Sequence, residues 1–170
     1  MIRNLATMTR AGLLAPLSQG TGKVLAELAN VERLRKSRLH PISILAALRT
    51  YAAGKGEKGK HTWTPVGQIV DALDGAFYSA YGNITPTNQR WLLALDVSGS
   101  MSGQQVCGMP HMTAVEAETA MALVTAATEP QHVIVAFDTV IKPVTITPRQ
   151  RLDDATQTVQ RLIHGGTDCA

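Results

Sequence analysis

The sequence predicts an α+β chain. An all-α segment of paired helices occupies residues 1–85, and the first part of an α/β, Rossmann-like domain occupies residues 86–170. Three observations carry this. Up to Tyr81, apolar residues recur at helical spacing, with Gly and Pro between the runs. From Trp91 the pattern changes to short continuous apolar runs, WLLAL and HVIVAF, that read as strands buried on both faces. The order strand, helix, strand, strand, helix then opens a doubly wound domain.

Composition bounds the function. The chain is 45% hydrophobic with mean hydropathy +0.02, which fits a globular chain and not a disordered one. No apolar run approaches a membrane span, and the N-terminus has no signal-peptide pattern. Two cysteines, Cys107 and Cys169, make no disulfide framework, so a cytoplasmic location is expected. The net charge of +3 hides an asymmetry. Residues 1–90 hold 12 Lys/Arg against 5 Asp/Glu, a balance of +7; residues 91–170 hold 4 against 8, a balance of −4. Such halves suggest a polyanion-binding part joined to a cation-binding part.

In chain order, Ile2 to Leu14 reads as a helix, broken by Pro16, Gly20 and Gly22. QGTGKV lacks the first Gly and the final Ser/Thr of a phosphate loop, so no nucleotide site is expected there. Thr21 reads as the N-cap of a helix with Val24, Leu25, Leu28, Val31 and Leu34 on one face. That helix ends in Arg33, Arg35, Lys36, Arg38 and His40. Two readings stand for this cluster: cations favouring a helix C-terminus, or phosphate contact.

Pro41 opens the next helix, with Ile42, Ile44, Leu45, Leu48 and Tyr51 as its apolar residues. A Gly/Lys-rich loop follows, in which Lys55, Lys58 and Lys60 are either a flexible linker or a grip on an RNA backbone. Thr64-Pro65 opens a fourth helix, with Val66, Ile69, Val70, Leu73 and Phe77 as its stripe. Tyr78 and Tyr81 read as packing residues. Helix pairs of this kind need neighbours to bury both faces, as in stacked α-repeats.

In the second half, Thr113 with Glu116 reads as a capping box. The helix it opens is rich in small residues. Val140 to Ile146, broken by Pro143, reads as an edge strand. Thr147-Pro148 begins a helix with Leu152, Ala155, Val159 and Leu162 inward. Gly165-Gly166 then forms a tight loop before Thr167. His111, His132 and His164 share no ligand spacing.

The stretch around which this half is organised is WLLALDVSGSM, Trp91 to Met101. Asp96, Ser98 and Ser100 follow the first strand at spacing two, at the sheet end where ligands bind in open α/β folds. One carboxylate and two hydroxyls suit Mg²⁺. The alternative is a strand-end turn in which these side chains cap backbone amides. Ser98 stands where an aspartyl-phosphate loop needs a second Asp, and no G-x-S-x-G elbow surrounds either serine.

D-x-S-x-S after a strand resembles the metal-ion-dependent adhesion site of von Willebrand factor A domains, and GGTDCA resembles its second loop, with Thr167 as the matching ligand. RNLATMTRAGLL, RLHPISILAAL and the stretch from Trp63 to Tyr81 resemble the Ro autoantigen, or TROVE-domain, family. The resemblance runs through the whole chain in order. It implies that residues 1–85 are the last part of HEAT-like helical repeats, and that residues 86–170 are the opening part of a von Willebrand A domain. It also implies a third-loop aspartate as a further metal ligand, with which Asp168 is not equated. A chain ending there leaves a sheet edge unpaired.

For function, the resemblance implies a non-catalytic scaffold that binds small noncoding (Y-type) and misfolded RNAs, with Mg²⁺ or another divalent cation held by Asp96, Ser98, Ser100 and Thr167. The alternative is a protein-binding A module whose Mg²⁺ is completed by a partner's carboxylate. Arg33, Arg35, Lys36, Arg38, His40, Lys55, Lys58 and Lys60 are the candidate RNA contacts. A metal-dependent hydrolase is not expected, because no base or nucleophile pairing is visible beside Asp96.

Overall fold

A computed structural model describes residues 1–56 and 61–166. The described chain divides into two compact units, Met1–Ile84 with Gly108–His111, and Thr85–Cys107 with Met112–Ala170. None of its helices is long and apolar enough to cross a membrane.

The first unit is helical: α1 (Leu5–Arg10), α2 (Gln19–Ala29), α3 (Val31–Ser37), α4 (Pro41–Ala52) and α5 (Gly67–Ser79). α5 packs against both α2 and α4. Its stripe Ile69, Leu73 and Phe77 is wholly buried, as are Ile44 and Leu45 of α4. Each such side chain contributes about 1.5–3 kcal/mol by leaving water. Tyr51, also buried, bonds through its hydroxyl to Thr9 Oγ1 at 2.9 Å and accepts from Val66 N–H at 3.2 Å. Trp63 Nε1 donates to Tyr51 O at 2.9 Å. Tyr78 and Tyr81 pack edge-on to Phe77, as expected of packing residues.

Several helix boundaries differ from those the sequence predicts. The Ile2–Leu14 helix is only a 3-10 turn and α1, ending at Arg10. Ser18, not Thr21, caps α2: its Oγ accepts from Thr21 N–H at 3.2 Å. Thr21 is buried one turn inside, its hydroxyl donating to Ala15 O at 2.7 Å. The single helix through Leu34 is two, because Asn30 leaves helical geometry and caps α3 by accepting from Arg33 N–H at 3.0 Å. Val31 is consequently 56% exposed and not on the apolar face. α5 begins at Gly67, two residues after Pro65, with Val66 as its N-cap.

The second unit carries a three-stranded sheet of order β1-β4-β5, with β1 (Trp91–Asp96), β4 (His132–Phe137) and β5 (Ile141–Pro143). β1 and β4 are parallel, Trp91 opposite His132 through Asp96 opposite Phe137. β5 closes the edge antiparallel, as its proline predicts. It is three residues long, not the expected seven. α6 (Ala114–Thr128) links β1 to β4 and packs on both and on α7 (Leu152–Gln160). Thr113 caps α6, its Oγ1 accepting from Glu116 N–H at 3.1 Å. α7 starts at Leu152, four residues after Pro148, and buries Leu152, Ala155 and Val159. A short hairpin, β2 (Gln105–Val106) with β3 (Met109–Thr113), precedes α6 and is not foreshadowed by any period in the sequence.

The expectation that β1 is buried on both faces fails. Leu95 and Ala136 are buried, but Leu92 and Val133, on the opposite face, are 69% and 58% exposed. Among the described residues, α6 packs on the sheet and α7 packs on α6.

Candidate metal centre and nucleic-acid interface

β1 delivers Asp96 to the carboxyl end of the sheet. Val97 follows, wholly buried, with its N–H bonded to Phe137 O at 2.8 Å, so the strand end is anchored immediately before the polar loop. Asp96 Oδ1 accepts from Ser98 N–H at 2.9 Å, the Asx turn expected of a strand-end aspartate. Ser98 is 1% exposed and Ser100 is at the surface. Their hydroxyl oxygens lie 2.9 Å apart and bond to each other. Ser98 stands at the N-cap of the 3-10 turn Gly99–Met101 without a side-chain capping bond. The capping alternative therefore describes one aspartate oxygen and neither serine.

The second loop lies on the first through backbone contacts. Gly99 N–H donates to Gly165 O at 2.9 Å, and His164 N–H donates to Val97 O at 3.2 Å. A Cβ at Gly99 would stand 2.9 Å from Gly165 O, so only glycine allows this approach. Gly165 itself has φ +65°, a left-handed conformation that favours glycine. Thr167, the expected ligand from this loop, lies outside the described residues, as do Asp168 and Cys169.

Glu118 of α6 reaches the same place and was not anticipated. Its Oε2 accepts from Asp96 N–H at 3.2 Å. Its Oε1 is buried without a hydrogen-bond partner. Burial pushes this carboxyl up to about 7; the Asp96 N–H bond works against the rise and the Asp96 charge adds to it. The signal for it in the sequence is an acidic residue between buried Val115 and Ala122, at helical spacing from both.

Asp138, at the end of β4, also sits at this end of the sheet but is already engaged. Lys142 Nζ forms an ion pair with its Oδ2, Val140 N–H donates to Oδ1 at 3.2 Å, and Lys142 holds its carboxyl below the usual range. Among the described residues, no three His, Cys, Asp or Glu side chains gather as ligands. The donor set at β1 is one carboxylate and two hydroxyls, with the orphaned Glu118 oxygen nearby. Hard neutral oxygens beside buried negative charge fit a hard divalent cation and not a soft one.

The basic candidates lie in the other unit. Arg33, Arg35 and Lys36 are exposed along α3, and Arg38 is its left-handed C-cap at φ 52°. Leu34, buried, pins the helix from below. Asn83 Nδ2 donates to Leu34 O at 3.2 Å and to Leu39 O at 2.8 Å, fixing the chain on both sides of the cap. Arg33 Nη1 pairs with Glu27 Oε2 at 3.2 Å. His40 is engaged locally, its Nδ1 capping α4 by accepting from Ile42 N–H at 3.2 Å. Lys55 is exposed beside a bridge to Thr62, and Lys58 and Lys60 fall outside the described residues.

Comparison with known proteins agrees with this layout. The family model described as the TROVE domain matches residues 1–50, and that described as the Ro60 vWA domain matches residues 90–170. The RNA-binding protein RO60 of Deinococcus radiodurans is 44% identical over 171 aligned positions, covering 100% of this chain and 32% of that protein. Its Caenorhabditis elegans namesake is 40% identical, covering 99% of this chain and 26% of that protein. The crystal structure of the Deinococcus radiodurans RO (RSR) protein superimposes with a TM-score of 0.86 at 43% identity, over 94% of this chain and 32% of that one. The chain thus spans about a third or less of the relatives it matches. With its TROVE segment and its von Willebrand A segment in that order, the chain belongs to the Ro family.

Proposed function

We propose that this chain contributes to a non-catalytic RNA-binding scaffold of the Ro type, acting in the cytoplasm on small noncoding and misfolded RNAs. The observation that carries the proposal is the exposed series Arg33, Arg35, Lys36 and Arg38 on a backbone fixed by Leu34 and Asn83. Four cations on one short, pinned segment exceed what a seven-residue helix needs at its C-terminus. They present an array for phosphates, which supply affinity without reading sequence. Both named relatives are RNA-binding proteins.

A divalent cation, Mg²⁺ by the hardness of the donors, is held in this reading by the hydroxyls of Ser98 and Ser100 with Asp96, and by Thr167 from the second loop. The cation supplies fixed positive charge at the carboxyl end of the sheet. The chain's own residues prepare the site: Val97 anchors the strand end, the Gly99–Gly165 contact joins the loops, and the Asx turn sets the Asp96 carboxylate. Among the described residues, Glu118 is the carboxyl beside Asp96, and its Oε2 accepts the Asp96 N–H.

Filter binding of unrelated single-stranded RNAs at two salt concentrations tests the proposal. Comparable affinities that fall together as salt rises are expected. Absence of binding at low salt, or RNA cleavage lost on Asp96→Ala, refutes it.

A further inference from the structure

Glu118 stands beside the loop that carries Asp96, Ser98 and Ser100 without belonging to any motif read from the sequence. Its geometry is specific. At the two ends of β1, the N–H groups of Trp91 and of Val97, just past the strand, point to the β4 side, bonding Gln131 O and Phe137 O. By strand alternation, Asp96 N–H points the other way, to the side of β1 away from β4. Glu118 Oε2 takes that N–H at 3.2 Å. The carboxyl thereby fixes the backbone of the residue whose side chain begins the D-x-S-x-S loop.

The second oxygen is the informative one. Oε1 has lost water and has no donor in its place. A buried carboxyl oxygen is ordinarily satisfied by a hydrogen bond or a positive charge. No Lys, Arg or His side chain pairs with Glu118 among the described ion pairs, and the charged group acting on it is Asp96, of like sign. Two carboxyls and two mutually bonded hydroxyls are collected at one strand end, with no cationic side chain of the described residues paired to them.

We propose that Glu118 is a positioning residue of the cation site, holding Asp96 through its backbone N–H with one oxygen while its second oxygen adds the negative charge that a divalent cation neutralises. This rests on the cation-site reading above and extends it to a residue outside the loop motif. The chemical class it favours is a small hard dication, because a carboxyl in place of a neutral group raises the charge density without adding a soft donor. Glutamine at this position keeps an oxygen for Asp96 N–H and removes the charge, so it separates the two roles.

Calorimetric titration of the full chain with Mg²⁺ or Mn²⁺ compares wild type, Glu118→Gln, Glu118→Asp and Ser98→Ala. Ser98→Ala is expected to abolish binding. Glu118→Gln is expected to melt, metal-free, at or above the wild-type temperature yet bind about tenfold more weakly, the order of one screened unit charge at close range. Glu118→Asp restores part of that affinity. Wild-type binding that depends on Ser98 but is within twofold in Glu118→Gln overturns the role of Glu118 and leaves the cation site standing. Wild-type binding that is absent or indifferent to Ser98→Ala overturns both. A second measurement needs no variant: Mn²⁺ added to carboxyl-labelled wild type should broaden the Glu118 and Asp96 carbon signals before that of Glu129. Broadening of Asp96 with Glu118 untouched sinks the proposal even if Glu118→Gln does not fold.

Discussion

Spacing singles out Asp96, Ser98 and Ser100 as candidates because the three lie within five consecutive residues just after a strand. Glu118 was invisible for the opposite reason: it is 22 residues away and meets Asp96 only through the packing of α6 on β1. Glu129 is another such residue. It is buried at the C-cap of α6, and its two oxygens accept from Thr87 N–H at 2.7 Å and Asn88 N–H at 3.1 Å, tying down the polar link before β1. Those bonds, that from Thr87 foremost, hold its carboxyl below the ordinary 4.5. A depressed folded pKa means that its contribution is fully present above the unfolded value and is lost as pH falls through the folded one. Wild-type melting temperature should therefore fall more steeply than that of Glu129→Gln as pH is lowered from about 6 to about 3. Parallel curves in calorimetric melts would show that these bonds carry no linked protons.

At the scale of elements, type was legible and boundaries were not. α4, α5, β1, β4 and α7 form where the apolar patterns predicted them, and the named stripes of α4 and α5 are buried except for Ile42 and Val70, which are half-buried. Helix starts moved wherever capping chemistry decided them. Ser18 precedes Thr21 and takes its N–H, so the earlier hydroxyl wins the cap; Asn30 captures Arg33 N–H and splits one apolar run into α2 and α3. The hairpin β2–β3 has too few residues for a period to show. β1 gives the sharpest test of what its apolar residues do. Leu95 is 4% exposed and Leu92 is 69% exposed, two strand positions of one sequence run on different faces. Leu95→Ala should cost about 2–5 kcal/mol, the range for emptying a packed site. Leu92→Thr should change stability by no more than about 0.5 kcal/mol. Denaturant titration of both variants decides it; equal losses would mean that the second face of the sheet is covered in solution.

At the scale of the whole molecule, the charge asymmetry was the earliest functional signal. It survives in the structure as a helical unit with exposed arginines and a sheet unit with Asp96, Glu118 and Asp138 at the carboxyl end of its parallel strands. What no periodicity supplies is which cations meet a ligand. Arg33 is partly spent on Glu27 and His40 on its own helix, so Arg35 and Lys36 are the cleaner probes. As phosphate contacts, each flattens the dependence of log affinity on log salt by roughly 0.7 for a single strand when removed. Arg35→Ala combined with Lys36→Ala should thus weaken binding to unrelated single-stranded RNAs by similar factors and make the slope shallower by on the order of 1. If the same charges only complement the C-terminus of α3, their loss costs about 0.3–1 kcal/mol of stability and leaves RNA binding alone. The two cases separate on one protein: a lower melting point with an unchanged salt slope removes α3 from the RNA interface. A shallower slope with the melting point kept places it there.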